Sequence, residues 1–155
     1  MSFSSEIKQE LSVHVPPARH CRLAEMAAIL NFCSRVESVE GESPCVKMHT
    51  ENLAVARKYF TLLRKTFNIE MNVSTRQSRN PRGSLSYEVT SFGGLEPVKH
   101  MLVQNQCCRR AYIRGAFLAS GSLSDPEKGY HFEIVCSGEE KADELREMLA
   151  SFGID

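Results

Sequence analysis

The sequence predicts an α+β fold built on a pseudo-twofold repeat of helices and strands. The chain has 155 residues, 42% hydrophobic and 25% charged, which suits one folded domain or two small ones. Apolar residues recur at helical spacing in some segments and alternate in others. The order helix, strand, strand, helix occurs twice, and similar residues are separated by 85 to 88 positions.

Composition and charge narrow the class of protein. The 19 basic and 19 acidic side chains leave a formal net charge of zero, which provides no overall attraction to nucleic acid, membrane or acidic ligands. No apolar stretch approaches the roughly 20 residues that cross a bilayer. The N-terminus, MSFSSEIKQEL, lacks the basic and apolar regions of a secretory signal. We therefore expect a cytoplasmic protein without a membrane partner.

The first two helices are predicted near the N-terminus. Ser4 and Ser5 can cap a short amphipathic helix, EIKQEL, which a Pro-Pro pair ends. Residues 22–33 are rich in Ala, Leu and Met and lack Gly and Pro, which predicts a second helix. Its alanines would allow another helix to approach closely.

Strands and a third helix follow. The pattern predicts short strands at 36–39 and 45–49 around a turn at 41–44. Thr50 is the expected cap of a helix over 51–66. The apolar positions of this helix recur at helical spacing at Leu53, Ala56, Phe60 and Leu63.

A hairpin and a short helix complete the first repeat. Residues 69–76 alternate cleanly between apolar and polar and predict a strand, and RNPRG predicts a turn or longer loop. Leu85, Tyr87 and Val89 define the return strand. A short helix is expected over 95–103, interrupted near Pro97.

The second repeat begins with an Ala-rich helix over 109–119 that ends at Ser-Gly-Ser. A turn at Asp125-Pro126 leads to a strand over 130–135. Ser137 and Glu140 match a capping box and open a final helix. This copy stops where the equivalent of the strand at 69–76 should begin, so we expect the chain to be a piece of a longer protein.

The cysteines do not predict a metal site. None of the six forms a C-x-x-C pair, and none has a histidine at a zinc-finger spacing. Adjacent Cys107 and Cys108 are expected to project differently and so not to share one tetrahedral zinc. We interpret the cysteines as small buried hydrophobic residues and expect neither a metal nor a cofactor.

Charge is distributed unevenly along the chain. Residues 71–130 carry 8 basic and 4 acidic side chains, whereas residues 131–155 carry 2 basic and 7 acidic ones. Arg76, Arg79 and Arg82 lie in a segment without any acid. This asymmetry points to an anionic partner, although a solvated hairpin tip would have the same composition.

Two stretches of sequence carry a family resemblance. The helix YIRGAFLASGS resembles the LAGLIDADG helix of homing endonucleases, with the pattern Y-L-x-G-F-x-D-G-D-G-S. The N-terminal stretch MSFSSEIKQEL and the segment CRRAYIRGAFLASGSLSDPEKGYHFEIV resemble the WhiA family of bacterial regulators. The resemblance implies a first LAGLIDADG-like repeat within 1–106 and the start of a second at 107–155. It also implies that a C-terminal helix-turn-helix domain of the family is missing from this chain.

The resemblance also implies loss of catalysis. In active homing endonucleases the motif acids bind the divalent metal beside the scissile phosphate. Those positions fall here on Leu30, Phe32, Leu118 and Ser120, none of which is a carboxylate. The close-packing part of the motif remains, and we expect the two motif helices to cross along a set of small residues: Ala27, Ala28, Gly115 and Ala116.

The family implies a transcription regulator acting in sporulation, or in cell division and chromosome segregation, at the nucleoid. Its partners would be DNA, mainly through the missing helix-turn-helix, and another regulatory protein. Alternation along the strands places Glu70, Glu88 and Glu133 on the expected DNA-facing surface, so we expect weak DNA contact. The candidate DNA-binding residues are Lys47, Arg76, Arg79, Arg82, Arg109, Arg110 and Arg114. The alternatives are that these are solubilising surface residues, that the chain is a divergent homing endonuclease, or that it is a protein-interaction scaffold.

Overall fold

The computed structural model describes residues 2–37, 45–67, 69, 71–77, 85–92, 95–125, 127, 129 and 131–153, apart from the side chains of Val36, Glu37, Arg76, Gln77 and Glu96. The predicted α+β class is confirmed. The helices are α1 (Phe3–Ser12), α2 (Arg19–Cys33), α3 (Leu53–Thr66), α4 (Glu96–Lys99), α5 (Gln106–Ser120) and α6 (Glu139–Ala150). The strands are β1 (Ser34–Glu37), β2 (Cys45–Thr50), β3 (Met71–Gln77), β4 (Leu85–Phe92), β5 (Gly121–Leu123) and β6 (Phe132–Ile134).

The two repeats share a chain path. In each, a small-residue helix runs directly into the first of two antiparallel strands: α2 into β1 and β2, and α5 into β5 and β6. A further helix then follows, α3 in the first repeat and α6 in the second. This is the predicted pseudo-twofold order.

The first repeat builds a four-stranded antiparallel sheet in the order β1-β2-β4-β3. Val46 and Met48 of β2 are buried on one face, where Met48 lies opposite Val89 of β4. Because strand side chains alternate, Lys47 and His49 lie on the other face. Helices α2 and α3 contact β2 and supply the apolar cover for the buried face.

The largest contact between elements is that of α2 with α5, the two motif helices. Met26 and Ile29 of α2 are fully buried, as is Ala116 of α5. These residues belong to one hydrophobic core that also includes α3, β2, β4 and Leu145 of α6. The two repeats therefore share a core rather than having one each.

The buried stripe of α3 matches the predicted one only in part. Ala56 and Leu63 are buried as predicted, whereas Leu53 is 40% exposed and Phe60 is only partly buried. Val55, Tyr59 and Leu62, which were not predicted, are fully buried. Both sets recur at helical spacing, so periodicity by itself did not distinguish two neighbouring stripes of the same helix.

Two helix caps also differ from prediction, because strand pairing and chain geometry decide which side chain reaches the free N–H groups. Asn52 caps α3, accepting from Ala54 N at 2.9 Å and Val55 N at 3.3 Å, while Thr50 ends β2. Ser2 caps α1 by accepting from Ser5 N at 3.1 Å, so the helix begins before Ser4.

The capping box predicted at Ser137 is wrong. Gly138 occupies the N-cap of α6 without a side-chain cap, and Ser137 Oγ lies 3.2 Å from Lys141 Nζ instead. Pro97 does not interrupt a helix either. It lies in the first turn of α4, where a missing N–H leaves no intrahelical bond unmade.

Helix α5 ends at the predicted Ser-Gly-Ser. At Gly121 the chain passes directly into β5, a strand that the sequence pattern did not predict. A Cβ at Gly121 would lie 2.8 Å from the Phe117 backbone, so the tight passage requires glycine. The predicted turn at 41–44, the RNPRG loop and Tyr130 lie outside the described residues. No described helix combines the length and apolar character needed to span a membrane.

Candidate functional site

The crossing of α2 and α5 is centred near Gly115. A Cβ on this residue would lie far inside van der Waals contact with the Glu25 carbonyl oxygen, and 2.9 Å from Ala28 Cβ. Ala27, Ala28 and Ala116 are all at most 1% exposed. The structure therefore places the four small residues of the motif in the core, with Gly115 directly against Ala28.

The C-terminal ends of the motif helices are where the family's catalytic acids would lie. Leu30 and Leu118 are each 1% exposed and part of the core. Phe32 packs edge-on against Tyr112, with 6.4 Å between ring centroids. Ser120 Oγ donates a hydrogen bond to Val135 O at 2.8 Å. None of these positions offers a metal ligand of the kind that Mg²⁺ requires.

A pocket of about 290 Å³ opens beside the end of α2. Most of the charged side chains in its lining are cations, Arg35 and Lys47 from the sheet and Lys141 from α6. Glu88 is the one carboxylate among the described residues that line it. The chemistry of this pocket suits an anion better than a divalent cation.

The solvent-facing surface of the four-stranded sheet is the candidate nucleic-acid interface, and we call it the outer sheet face. Cross-strand register places these described polar residues on it: Arg35, Lys47, His49, Asn72, Ser74, Ser86, Glu88 and Thr90. The same register gives Arg76 a position on this face, opposite Ser86. The residues that alternation predicted for β2, β3 and β4 thus have positions on one face, with Arg35 and Thr90 as additions. Glu133, also predicted for this surface, is not part of it, because β6 belongs to the separate two-stranded sheet.

Glu88 controls the charge at the centre of the outer sheet face. Its side chain is 8% exposed, and its carboxylate lies 3.8 Å from Arg35 Nη2 and 3.9 Å from Lys47 Nζ. The Glu88 carboxylate offsets part of the positive charge of these two cations. Attraction to a phosphate backbone at this centre is correspondingly weak.

The three arginines of α5 do not form one patch. Arg110 lies over the Phe152 ring at 5.7 Å from its centroid. Arg109 lines a different pocket, between α5 and α6, and its buried Nε makes no hydrogen bond to any described residue. Arg114 points into the protein. Arg79 and Arg82 lie outside the described residues, as does Glu70, so their predicted roles stay predictions.

Arg114 belongs to a buried ionic cluster, which corrects its assignment to a DNA-facing surface. Its Nε and Nη2 donate to Glu25 Oε1 and Oε2 at 3.1 and 3.2 Å, a bidentate pair. Glu25 is fully buried and also contacts Lys58 Nζ at 3.1 Å. The guanidinium is thus engaged with a carboxylate on the partner motif helix.

Lys58 completes this cluster. Its ammonium donates to Leu11 O at 3.0 Å and to His14 O as well as to Glu25, so all three of its donors have partners. Burial lowers the pKa of Lys58, an effect that the neighbouring carboxylate of Glu25 opposes. The Arg114–Glu25–Lys58 cluster therefore links α2, α3 and α5 to the end of α1.

At their N-terminal ends the motif helices bring four metal-binding side chains together. His20 and Cys21 lie in the first turn of α2, and Cys107 and Cys108 lie in the first turn of α5. Their donor atoms are all within 4.8 Å of one another. The expectation that adjacent Cys107 and Cys108 could not face one centre is wrong, because both sulfur atoms lie close to His20 Nδ1, Cys108 Sγ at 3.2 Å and Cys107 Sγ at 3.9 Å.

The repeat itself carried a signal for this cluster. An offset of 88 aligns His20 with Cys108, and the two helix starts must lie side by side if the helices cross as a pseudo-twofold pair. Burial raises the pKa of the Cys108 thiol to about 11, and burial with a hydrogen bond to Cys107 raises that of Cys21. Without a bound ion these thiols stay protonated at neutral pH.

Family models match most of the chain. Residues 19–99 match the WhiA N-terminal LAGLIDADG-like domain, and residues 109–155 match the WhiA LAGLIDADG-like domain. The chain is 44% identical over 176 residues to the probable cell division protein WhiA of Lachnoclostridium phytofermentans, and 40% identical over 177 residues to that of Alkaliphilus oremlandii. These alignments cover 100% and 98% of the chain but only 56% and 55% of the relatives, so the chain spans about half of their length.

Solved structures show the same fold. The crystal structure of the N-terminal LAGLIDADG domain of WhiA superposes with a TM-score of 0.81 at 22% identity, covering 97% of this chain and 74% of that one. Full-length WhiA from Thermatoga maritima gives a TM-score of 0.80 at 20% identity, covering 98% of this chain and 51% of that one. The predicted LAGLIDADG-like architecture is confirmed.

Proposed function

The chain belongs to the WhiA family, and we propose that it is the catalytically inactive, homing-endonuclease-like part of a DNA-binding transcription regulator. The relatives it matches are named probable cell division proteins, which supports a role in cell division. Chromosome segregation and sporulation are further roles that we propose from the family resemblance alone. The proposal depends most on one observation. The crossed motif helices are intact, whereas Leu30, Phe32, Leu118 and Ser120 replace the acids that catalysis would need.

We further propose that sequence-specific DNA recognition belongs to a helix-turn-helix domain in the half of the family's length that this chain does not span. The charge of the chain supports this division. Its formal net charge is zero, and Glu88 lies between Arg35 and Lys47 on the outer sheet face. Weak, salt-sensitive contact with the DNA backbone is then the contribution of this domain, at the nucleoid in the cytoplasm.

Two alternative functions make different predictions. A divergent homing endonuclease would need carboxylates at the ends of α2 and α5, which are absent there. A protein-interaction scaffold would retain the fold but show no salt-dependent affinity for DNA. A binding measurement therefore separates the regulator from the scaffold.

The test is a fluorescence-anisotropy titration of duplex DNA at two salt concentrations. We expect a dissociation constant at or above the weak end of the non-specific range, roughly 10⁻⁴ M at physiological salt. In the triple variant Arg76→Ala/Arg79→Ala/Arg82→Ala the residual binding should be lost. The salt dependence should flatten by up to about 0.9 in logarithmic slope per lost phosphate contact.

A matched control removes three exposed cations elsewhere: Arg57, Lys65 and Arg146, each changed to Ala. Both triple variants remove three positive charges, so they change the net charge equally. If the acid-free segment has a specific role, the control variant should bind DNA as tightly as the unaltered chain does. Tight binding of a specific duplex would contradict the assignment of DNA recognition to another domain. Salt-independent or absent binding would favour the scaffold.

A further inference from the structure

The N-terminal ends of the two motif helices form a compact group of soft and borderline metal ligands. Nδ1 of His20 lies 3.2 Å from Cys108 Sγ, 3.5 Å from Cys21 Sγ and 3.9 Å from Cys107 Sγ. One imidazole nitrogen is thus surrounded by three sulfur atoms contributed by both helices.

Hydrogen bonding does not account for this arrangement. A ring nitrogen has either one proton or one lone pair in the ring plane, so it can satisfy one thiol well and not three. Cys108 Sγ also lies 3.7 Å from His20 O, which leaves it little further bonding capacity. A cation at the centre of the group would satisfy all four donor atoms together.

The distances match tetrahedral zinc. With Zn–S bonds of about 2.3 Å and Zn–N bonds of about 2.0–2.1 Å, the N···S edges of a tetrahedron are about 3.5–3.6 Å. The three observed N···S distances, 3.2, 3.5 and 3.9 Å, bracket that value. All pairs of donor atoms lie within 4.8 Å, so small side-chain adjustments suffice to close the site.

We propose that His20, Cys21, Cys107 and Cys108 bind one Zn²⁺ ion in a closed Cys₃His site. Four protein ligands leave no open coordination position, so the site is structural and not catalytic. Three thiolates with one imidazole favour Zn²⁺ over oxygen-seeking Mg²⁺ or Ca²⁺. The ion would join the start of α2 to the start of α5, at the opposite end of these helices from the lost catalytic centre.

The surroundings favour the anionic ligand set. Three thiolates and one Zn²⁺ carry a net charge of −1, and the N-terminal ends of α2 and α5 present partial positive charge to it. His20 and Cys107 are exposed, so an ion can reach the site from solvent. Cys21 and Cys108 are buried, so two of its ligands are held in place by the surrounding core.

The experiment measures metal binding to the full 155-residue chain, independently of DNA binding or any proposed regulatory role. Reduced, metal-free protein is titrated with Zn²⁺ against a chromophoric chelator, and with Co²⁺ as a spectroscopic substitute. We expect one ion per chain. The Co²⁺ complex should show intense visible absorption of a tetrahedral centre and a thiolate charge-transfer band in the near ultraviolet.

Two of the four proposed ligands, His20 and Cys107, are exposed, so substituting either should leave the hydrophobic core intact. Cys107→Ser and His20→Gln should each weaken Zn²⁺ affinity by more than about a hundredfold, because even an outer-shell partner changes affinity about 10–100-fold. The controls Cys45→Ser and Cys136→Ser remove thiols outside the cluster and should leave affinity unchanged. Zn²⁺ should also raise the melting temperature of the unaltered chain and not that of Cys107→Ser.

Three results would overturn the proposal. The first is the absence of stoichiometric Zn²⁺ or Co²⁺ binding by reduced protein that remains folded by circular dichroism. The second is equal affinity in Cys107→Ser and in the controls, which would place the ion elsewhere. The third is a disulfide between Cys21 and either cysteine of α5 in protein isolated under reducing cytoplasmic conditions, which would identify a redox pair instead.

Discussion

At Gly115 the absence of a side chain determines how closely α2 and α5 approach. The added Cβ would meet the Glu25 carbonyl, a backbone atom that moves only if the whole helix moves. Ala28 Cβ, at 2.9 Å from the same position, closes the other side. Interiors are packed to the density of organic crystals, so no space remains there for a larger residue.

We expect Gly115→Leu to lower the free energy of unfolding by roughly 1–3 kcal/mol or more, because overpacking forces the helices apart. Urea denaturation monitored by circular dichroism measures the change. Gln106→Leu places the same side chain on an exposed position of the same helix and should have little effect. An unchanged stability for Gly115→Leu would mean that the helices can separate here without cost.

Glu25 is a second residue at which one side chain serves several elements. Glu25 is fully buried. Among the described residues, its carboxylate is the only oppositely charged group that pairs with Lys58 and with Arg114. Charges removed from water are tolerated only while they compensate one another. The stability of this cluster is therefore more sensitive to the loss of one member than surface ion pairs are.

Glu25→Gln should destabilise the fold by about 3–5 kcal/mol, because it leaves the buried Lys58 and the partly buried Arg114 without a counter-charge. Chemical denaturation measures this loss, and a double-mutant cycle with Arg114→Met isolates the coupling between the two helices. Asp143→Asn breaks an ion pair whose side chains are 77% and 69% exposed, and should cost at most about 1 kcal/mol. Equal effects of the two substitutions would contradict a buried ionic role.

At the scale of elements, the motif helices have the packing residues of the LAGLIDADG motif but lack its acids at their C-terminal ends. Crossing depends on small residues in the middle of α2 and α5, whereas catalysis in homing endonucleases depends on acids at their C-terminal ends. Phe32 instead packs edge-on against Tyr112, and Ser120 Oγ donates a hydrogen bond to the carbonyl oxygen of Val135. Phe32 and Ser120 thus contribute to packing and hydrogen bonding at positions where active homing endonucleases have metal-binding acids.

The purified chain should therefore not cleave plasmid DNA in the presence of Mg²⁺ or Mn²⁺. Without carboxylates at Leu30, Phe32, Leu118 and Ser120, nothing there holds the metal that would stabilise the attacking and leaving oxygens. Gel analysis of supercoiled plasmid measures nicking. Chelator-sensitive nicking that disappears when a nearby acid such as Glu133 is replaced would contradict this expectation.

For the whole molecule, one core joins two unequal repeats. The described part of the first repeat has a four-stranded sheet and that of the second a two-stranded one, yet buried residues of both belong to the same cluster. Ser4 adds a further link, since its Oγ bridges both the Leu123 N–H at 2.6 Å and the Leu123 carbonyl at 2.7 Å. Helix α1 is thereby attached to the edge of the second sheet.

We expect this shared core to unfold in one cooperative transition. Calorimetric and van't Hoff enthalpies should agree, and fluorescence and circular dichroism should report the same midpoint. Gly115→Leu should lower that single midpoint without splitting it, because the altered contact belongs to both repeats. Two resolved transitions, with only one sensitive to Gly115→Leu, would show instead that the repeats are independent folding units.

The sequence by itself determined the fold class, the family and the approximate position of nearly every helix. These features follow from local information: helical periodicity, strand alternation, Gly and Pro, and a motif of adjacent residues in α5. The missing acids could also be recognised in the sequence, because they occupy motif positions. Prediction was weakest at helix ends, where Asn52 and Ser2 displaced the expected caps through geometry that spacing does not encode.

Only the tertiary structure decided which distant side chains meet. Arg114 pairs with Glu25 across 89 positions, and Cys108 meets His20 across 88, so neither contact is visible in any local spacing. The reason is that two helices from separate repeats cross at their small residues, and this crossing brings their N-terminal ends together. Arg114, which was assigned to the surface, thereby pairs with a buried carboxylate, and cysteines far apart in the sequence form a cluster with His20.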